Sequence, residues 1–439
     1  MSTDTIAAIA TPPGSGGVGI VRISGKKALT IAEEMMHHSL RPRYATFTRF
    51  LEDNNQIIDE GIAIYFKAPH SFTGEDVVEL QGHGGQVIMD CLLRRVLSCG
   101  ARMARPGEFT ERAFLNDKLD LIQAEAVADV INATTLQAVQ SASRSLQGDF
   151  SKEINGLLEQ LIHLSMFIES AIDFTDEDID FISEHHIVAS IQTLLTQIQV
   201  IRNTARQGAL LQSGIQIVIA GLPNAGKSSL LNWLSGQESA IVTNIAGTTR
   251  DILKERINLD GLVLNIIDTA GIRETSDMIE QEGVRRAYAE INKADMILWI
   301  YDATEEVVMP FEFPEGLPII KIKNKIDLLS ENITIQDDEI GISIKENKNS
   351  DQLKQAIKAA AGFHVAETST FMARRRHLTA LDKTAECIKR GLDAYQQSQS
   401  HELLAEDLYQ AGKALSEITG AFSTDDLLGK IFSEFCIGK

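Results

Sequence analysis

The chain has 439 residues, 44% of them hydrophobic and 23% charged, which are the proportions of an ordinary globular protein long enough for about two or three domains. Its 41 Lys and Arg against 61 Asp and Glu leave a net charge of −20, a surface that disfavours nonspecific attachment to nucleic acid or anionic membrane. Four cysteines, Cys91, Cys99, Cys387 and Cys436, form no C-x-x-C pair, which argues against a zinc site or disulfide framework and fits a reducing compartment.

The opening MSTDTIAAIATPP has no basic stretch leading a long apolar core, and no apolar run approaches the ~18 residues that span a bilayer. The expectation is a cytoplasmic protein with no membrane partner. Up to about residue 118, TIAAIA, GVGIVRIS, GIAIYFKAP and DVVELQG alternate as strands do, and QVIMDCLLRRVLSCG reads as an amphipathic helix closed by Gly100, an α+β pattern. Its glycine clusters, 14–19 and 82–85, are turn-makers first. Any RNA contact needs a local basic patch, for which Arg94, Arg95, Arg102 and Arg105 and the 374–377 run are the candidates, although solvated helix faces explain each taken alone.

From 119 to about 211 glycine and proline nearly vanish and apolar residues recur at helical spacing, predicting long packed helices, the last of them stopped at Gly208. The acidic run 173–180 lacks the glycine and spacing of a calcium loop and reads as a helix connection. Helical periodicity returns from about 369 to the end. Each helical block alone would expose an apolar stripe, so the economical reading is one helical domain with an α/β domain inserted into it. The boundaries expected are 1–118, 119–213, 214–364 and 365–439.

The inserted segment carries the chemistry. A buried strand at 215–220 runs into Gly221, Asn224, Ala225, Gly226, Lys227, Ser228 and Ser229, a G-x-x-x-x-G-K-[ST] loop opening a helix. Consecutive backbone N–H groups can converge on phosphate oxygens only at such a glycine-permitted turn; Lys227 adds charge near the β- and γ-phosphates and Ser228 reaches Mg²⁺. Thr243, Asn244, Ile245, Ala246, Gly247, Thr248 and Thr249 follow as a glycine-containing switch loop, in which Thr248 or Thr249 is the candidate second Mg²⁺ hydroxyl, a choice the pair alone does not make. A hairpin around 259–261 delivers Asp268, Thr269, Ala270 and Gly271, the aspartate toward Mg²⁺ and the glycine N–H toward the γ-phosphate. Asn324, Lys325 and Asp327 close another strand, and Asp327 suits the N1–H and N2–H₂ donors of guanine, a pair that adenine lacks. Ser343, Ile344 and Lys345 complete the base loop, with isoleucine in the usual alanine position. Ile272 stands where Ras-like enzymes keep a water-orienting glutamine, so another group must order water; Glu280 and Glu282 are the nearest carboxylates and the residues alone do not choose between them.

With these residues in view, the chain resembles the MnmE (TrmE) family of tRNA-modification GTPases. The resemblance spans ATPPGSGGVGIVRISG, TGEDVVELQGHGG, PGEFTERAFLNDKLDLIQAEA, GLPNAGKSSLLN, TNIAGTTRD, DTAGIRET and the terminal FCIGK. It implies a multidomain α/β and α protein: an N-terminal α+β domain like tetrahydrofolate-binding folds, a helical domain, and an inserted Ras-like P-loop GTPase domain with a doubly wound sheet. Arg22, Glu79, Lys118 and Lys439 match the family's contacts to 5-formyltetrahydrofolate. Asn224, Thr243, Ile245 and Thr248 match positions that hold a K⁺ ion between dimerised G domains, and Glu280 matches the water-ordering glutamate. Cys436 matches a terminal cysteine whose chemical role stays open. The implied activity is GTP hydrolysis in a homodimer that joins a flavin- and NADH-dependent partner, MnmG (GidA), in a heterotetramer. Together they place aminomethyl or carboxymethylaminomethyl groups on C5 of tRNA wobble uridine. The rivals are a GTP-operated ribosome-assembly or RNA-binding switch without modification activity, and a folate-dependent methyltransferase with a regulatory G domain.

Overall fold

The computed structural model describes residues 4–173, 184–237, 254–268, 293–305, 314, 316–329, 338–364, 370–421, 425–433 and 435–438. The first of these carry β1 (Ile6–Ile9), β2 (Gly16–Ser24), α1 (Ala28–Met36), β3 (Thr46–Leu51), β4 (Ile57–Phe66), β5 (Val77–Gly84), α2 (Gln86–Ser98), β6 (Arg102–Met103), α3 (Glu108–Leu115) and α4 (Leu121–Asn132). Three helices follow, α5 (Leu136–Leu146), α6 (Asp149–Asp173) and α7 (Glu184–Ser213). Then come β7 (Ile215–Ala220), α8 (Lys227–Gln237), β8 (Lys254–Leu259), β9 (Leu262–Asp268), β10 (Met296–Asp302), β11 (Ile319–Asn324), a 3₁₀ turn (Ile326–Leu328), β12 (Glu339–Ile342) and α9 (Ser350–Ala361). The last are α10 (Arg375–Ser398), α11 (His401–Thr419) and α12 (Asp425–Ser433).

The chain divides into two compact units, Met1–Ile131 with Ser145–Leu195 and Lys383–Lys439, and Asn132–Arg144 with Thr196–Asp382. In the first, a sheet runs β3-β4-β5-β2-β1-β6, antiparallel except where β1 meets β6. Alternating residues such as Val21, Phe50 and Leu80 point to one face, where Ile31 and Met35 of α1 and Leu92 of α2 cover them in the main core. Ile6, Ala8, Ala104 and Phe109 form a smaller cluster. Leu121 and Ala124 of α4 pack with Ile431, Phe432 and Phe435 near the C-terminus. Helix α6 packs on α11, with Leu161 set against Gly412.

In the second unit the sheet order is β12-β11-β10-β7-β9-β8, parallel throughout except for β8. That is the doubly wound arrangement, with one antiparallel edge strand, expected of a Ras-like nucleotide domain. Every residue of β10 is buried, as parallel strands covered on both faces require. The fold class expected from the sequence is therefore the one observed: an α+β part, a helical part and a doubly wound α/β part in one chain.

Local expectations fared less evenly. α7 does not stop at Gly208 but runs on to Ser213; a Cβ at Gly208 would overlap the Phe371 carbonyl oxygen, so this glycine permits close packing inside the helix. The helix ends instead at Gly214, in the left-handed region at φ 67°. The helical run beginning at Leu121 breaks into α4 and α5. Strand β3 and helices α1 and α3 add to the elements that the sequence pattern marks. Asp173 closes α6, and the rest of the acidic run lies outside the described residues.

Candidate functional site

β7 lies between β9 and β10 and feeds the glycine loop. At Gly221 a Cβ would overlap the Ile300 carbonyl oxygen of β10, so only glycine lets the chain leave the sheet so close to its neighbour. Asn224 and Gly226 take φ values of 66° and 105°, and a Cβ at Gly226 would overlap the Asn324 amide nitrogen. The result is a cradle bounded by backbone at the N-terminus of α8, the geometry suited to an anionic phosphate. Lys227 Nζ donates to the Gly221 and Leu222 carbonyls at 2.8 and 2.9 Å, so the ammonium lies over the loop. Ala225 is buried beneath, while Asn224, Ser228 and Ser229 are exposed.

The base end is built on the neighbouring strand terminus. Asn324 is only 3% exposed, and its Nδ2 donates to the Ala225 carbonyl at 2.9 Å, which ties the base loop to the phosphate loop. Its buried Oδ1 has no hydrogen-bond partner among the described residues. Ser343 Oγ donates to Asp327 Oδ1 at 2.6 Å and accepts the Glu346 backbone N–H at 3.2 Å. The Ser343 hydrogen bond, with the charges of Lys345 and Lys348, holds the Asp327 carboxyl below the usual carboxylate range. An anionic acceptor fixed in this way matches the paired donors of guanine. Ile344 is half-buried and Lys345 exposed. Lys325 sits at φ 64° and its Nζ reaches Asp302 Oδ2 at 2.6 Å, a partner outside the sequence motifs. Its signal was present: an aspartate closing a fully apolar strand.

Several expected site residues lie outside the described residues: Thr243, Asn244, Ile245, Ala246, Gly247, Thr248, Thr249, Thr269, Ala270, Gly271, Glu280, Glu282 and Lys439. Asp268 is the last residue of β9, in register with Ile219 of β7. Of the Mg²⁺ and K⁺ positions, Asn224 and Ser228 are described, and both are exposed at the phosphate loop, where an ion bound beside the phosphates can be reached.

In the first unit, Arg22 of β2 is in register with Glu79 of β5. Its Nε and Nη2 meet Glu79 Oε1 at 3.0 and 2.9 Å, and its Nη1 donates to the Gly438 carbonyl at 3.4 Å. The guanidinium lies 5.7 Å from the centroids of both Phe72 and Phe109. Gly438, at φ 96°, packs where a Cβ would overlap the Ile9 carbonyl oxygen, and the Gly107 N–H donates to the Cys436 carbonyl at 3.4 Å. Gly438 is thus seated beside Arg22. Lys118 is exposed, its Nζ on the Pro69 carbonyl at 3.1 Å, at the other end of the short loop bearing Phe72. A guanidinium, a carboxylate, an ammonium and an aromatic ring fit a ligand combining carboxylates with a planar hydrogen-bonding ring. Cys436 is exposed.

The arginines considered as a basic patch are largely committed to carboxylates. Arg95 is buried and pairs with Glu34 and Asp53. Arg102 binds Asp4 and Glu108, and Arg105 binds Glu108 and Glu111. Arg112, also buried, reaches Asp4, Glu75 and Glu108. Burial alone would raise the Glu108 pKa, but hydrogen bonds from Arg102, the Arg105 backbone N–H and Arg112 bring it down to about 2. In the second candidate run, His377 is buried, and its Nδ1 accepts the Arg374 N–H at 3.0 Å.

A family model described as "GTP-binding protein TrmE N-terminus" matches residues 5–118, and one described as "MnmE helical domain" matches residues 121–436. Proteins named "tRNA modification GTPase MnmE" are similar over their whole length. The one from Shewanella sp. is 51% identical over 100% of both chains, that from Hydrogenovibrio crunogenus 52% over 100% of this chain and 99% of its own, and that from Proteus mirabilis 52% over 100% of both. Among the described residues no helix is long and apolar enough to cross a membrane.

Proposed function

Because the chain belongs to the MnmE family of tRNA modification GTPases and is a GTP hydrolase, we propose that its GTP cycle drives C5 modification of wobble uridine in certain tRNAs. The observation that carries the nucleotide part is the Asn324 bridge, which joins a guanine-reading loop to a phosphate cradle in one compact unit. In this reading Asn224, Ala225, Gly226, Lys227, Ser228 and Ser229 hold the phosphates, and Asn324, Lys325, Asp327, Ser343, Ile344 and Lys345 hold the base. The segments 243–249 and 268–271 serve as the switches.

Ser228 and Thr249 are the proposed Mg²⁺ ligands, and Asn224, Thr243, Ile245 and Thr248 the proposed K⁺ ligands. When bound, the two cations supply positive charge to the β- and γ-phosphate oxygens. Glu280 orders the attacking water. This division of labour suits a chain with Ile272 in the place of a glutamine. Arg22, Glu79, Lys118 and Lys439 are the proposed contacts of 5-formyltetrahydrofolate, supported by the guanidinium, carboxylate and ring faces gathered at Arg22. The reading includes the domain plan 1–118, 119–213, 214–364 and 365–439. It also includes a homodimer, a heterotetramer with the flavin- and NADH-dependent MnmG (GidA), and a cytoplasmic setting.

Mass spectrometry of tRNA nucleosides from a strain lacking this chain tests the whole. Loss of the C5-modified wobble uridines is expected, and normal maturation overturns the proposal. A second measurement addresses the cation: hydrolysis is expected to run faster in K⁺ than in Na⁺, and equal rates refute the K⁺ assignment.

A further inference from the structure

Asp302 closes β10 in register with Asn324 of β11 and is only 8% exposed. A buried carboxylate must be satisfied, and both of its oxygens are. Oδ1 accepts the Thr304 backbone N–H at 2.9 Å and the Thr304 hydroxyl at 2.8 Å, while Oδ2 accepts Lys325 Nζ at 2.6 Å. The Ala303 N–H donates to the Asn324 carbonyl at 2.8 Å, so the turn holding the carboxylate is itself fixed to the strand that ends in the base loop. At the other partner, Lys325 occupies the left-handed region at φ 64°, a conformation that costs a non-glycine residue about 1 kcal/mol and persists where surrounding contacts enforce it.

Lysine is a poor positioning element unaided, because its four rotatable bonds lose up to roughly 2 kcal/mol of rotamer entropy when ordered. Here the ammonium is anchored on Asp302 although the side chain stays 34% exposed. In sequence the residue stands between Asn324, whose amide touches the phosphate loop, and Asp327, whose carboxylate is held by Ser343.

We propose that Asp302 is a positioning residue for guanine-nucleotide binding: clamped by Thr304, its carboxylate fixes Lys325 in the conformation that receives the nucleotide. The inference rests on the reading of Lys325 as a nucleotide contact and adds a residue outside the sequence motifs. It predicts that Asp302 governs nucleotide affinity and residence without touching nucleotide. A staple that merely joined two strand ends would govern stability instead.

The test is a double-mutant cycle on the full-length protein, read by the dissociation rate of a fluorescent GDP analogue and by thermal unfolding. Asp302→Asn keeps the shape and an acceptor for Thr304 but removes the charge facing Lys325. It is expected to speed dissociation roughly tenfold, the equivalent of one lysine side chain left to be ordered on binding, while moving the unfolding midpoint by no more than about 2 °C. Lys325→Met is expected to speed dissociation at least as much, and the double variant no more than Lys325→Met alone. Thr304→Ala, which loosens the carboxylate and leaves the charge pair, is expected to give a smaller increase in the same direction. Additive effects of Asp302→Asn and Lys325→Met overturn the proposal, as does a lowered unfolding midpoint with an unchanged dissociation rate. An unchanged rate in Lys325→Met instead refutes the reading of Lys325 beneath it.

Discussion

The phosphate loop and the ionic cluster of the N-terminal unit both hold charge in fixed positions, but from opposite kinds of chain material. The loop is contiguous, residues 221–228, and works mainly through backbone: two positive φ values and two sites where a Cβ would overlap a neighbour shape the cradle. In the cluster the work is done by side chains far apart in sequence. Arg112 binds Asp4 across 108 positions and Glu75 across 37, and Glu108 receives Arg102 and Arg112 together. A contiguous turn gets its shape from its own backbone, with the ends of β10 and β11 packed against it. The dispersed cluster exists only once the sheet, the 69–76 loop and α3 are all in place. Damage to the first should therefore appear in nucleotide handling, and damage to the second in folding.

The largest effect expected on this view is that of Arg112→Ala. Removing the buried guanidinium takes an ion pair from Asp4, Glu75 and Glu108 at once, with Arg102 left to hold Asp4 and Glu108, and breaking a buried ion pair from one side costs about 3–5 kcal/mol. Denaturant unfolding of the variant should show that loss while its affinity for GDP stays within about twofold. A large fall in GDP affinity at unchanged stability would break the contrast.

Asp327→Asn probes the other side. It removes the acceptor matched to guanine while Ser343 still has a hydrogen-bonding partner, so the fold should be indifferent. A lost hydrogen bond to a charged group is worth roughly 1.5–3 kcal/mol, or about 10- to 150-fold in GTP affinity, with affinity for xanthosine nucleotides rising in exchange. Competition binding with GTP and XTP measures both, and unchanged preference would remove Asp327 from the base site.

The two regions also differ in how legible they were. The loop, the Asn324–Asp327 segment and Ser343 could be read from residue types because their geometry is imposed within a few positions of chain. Arg22 and Glu79 were named through family resemblance, and no local pattern shows that Gly438 lies against Arg22 from 416 positions away. The arginines at 95 and 102 read as solvated helix faces or as candidates for a basic patch because their carboxylate partners, Glu34, Asp53, Asp4 and Glu108, arrive by sheet pairing and helix packing, which residue spacing does not encode. Gly208 misled for the same reason. Glycine after a helical run reads as a stop, whereas here it admits the Phe371 backbone against a helix that continues. Asp302 falls between the two cases, placed by a readable strand but given its partner by the parallel neighbour.

The finest discrimination comes from pH. Glu108 has a folded pKa of about 2 against an ordinary value of 4.5. The unfolded chain therefore takes up the proton first as pH falls. The stability contributed by the ionised Glu108 is complete above about pH 4.5 and is lost progressively as pH falls from there toward 2. Those two values imply a loss of about 1 kcal/mol by pH 4. Glu108→Gln cannot titrate, so its deficit relative to the parent protein should be largest near neutrality and shrink as the solution is acidified, with the background of all other carboxylates cancelling in the difference. Unfolding free energies of both proteins at several pH values between 3 and 7 measure that convergence. A deficit that stays constant across the range would mean that Glu108 contributes through shape and neutral hydrogen bonds, and the contrast between a charge-built cluster and a backbone-built cradle would lose its electrostatic half.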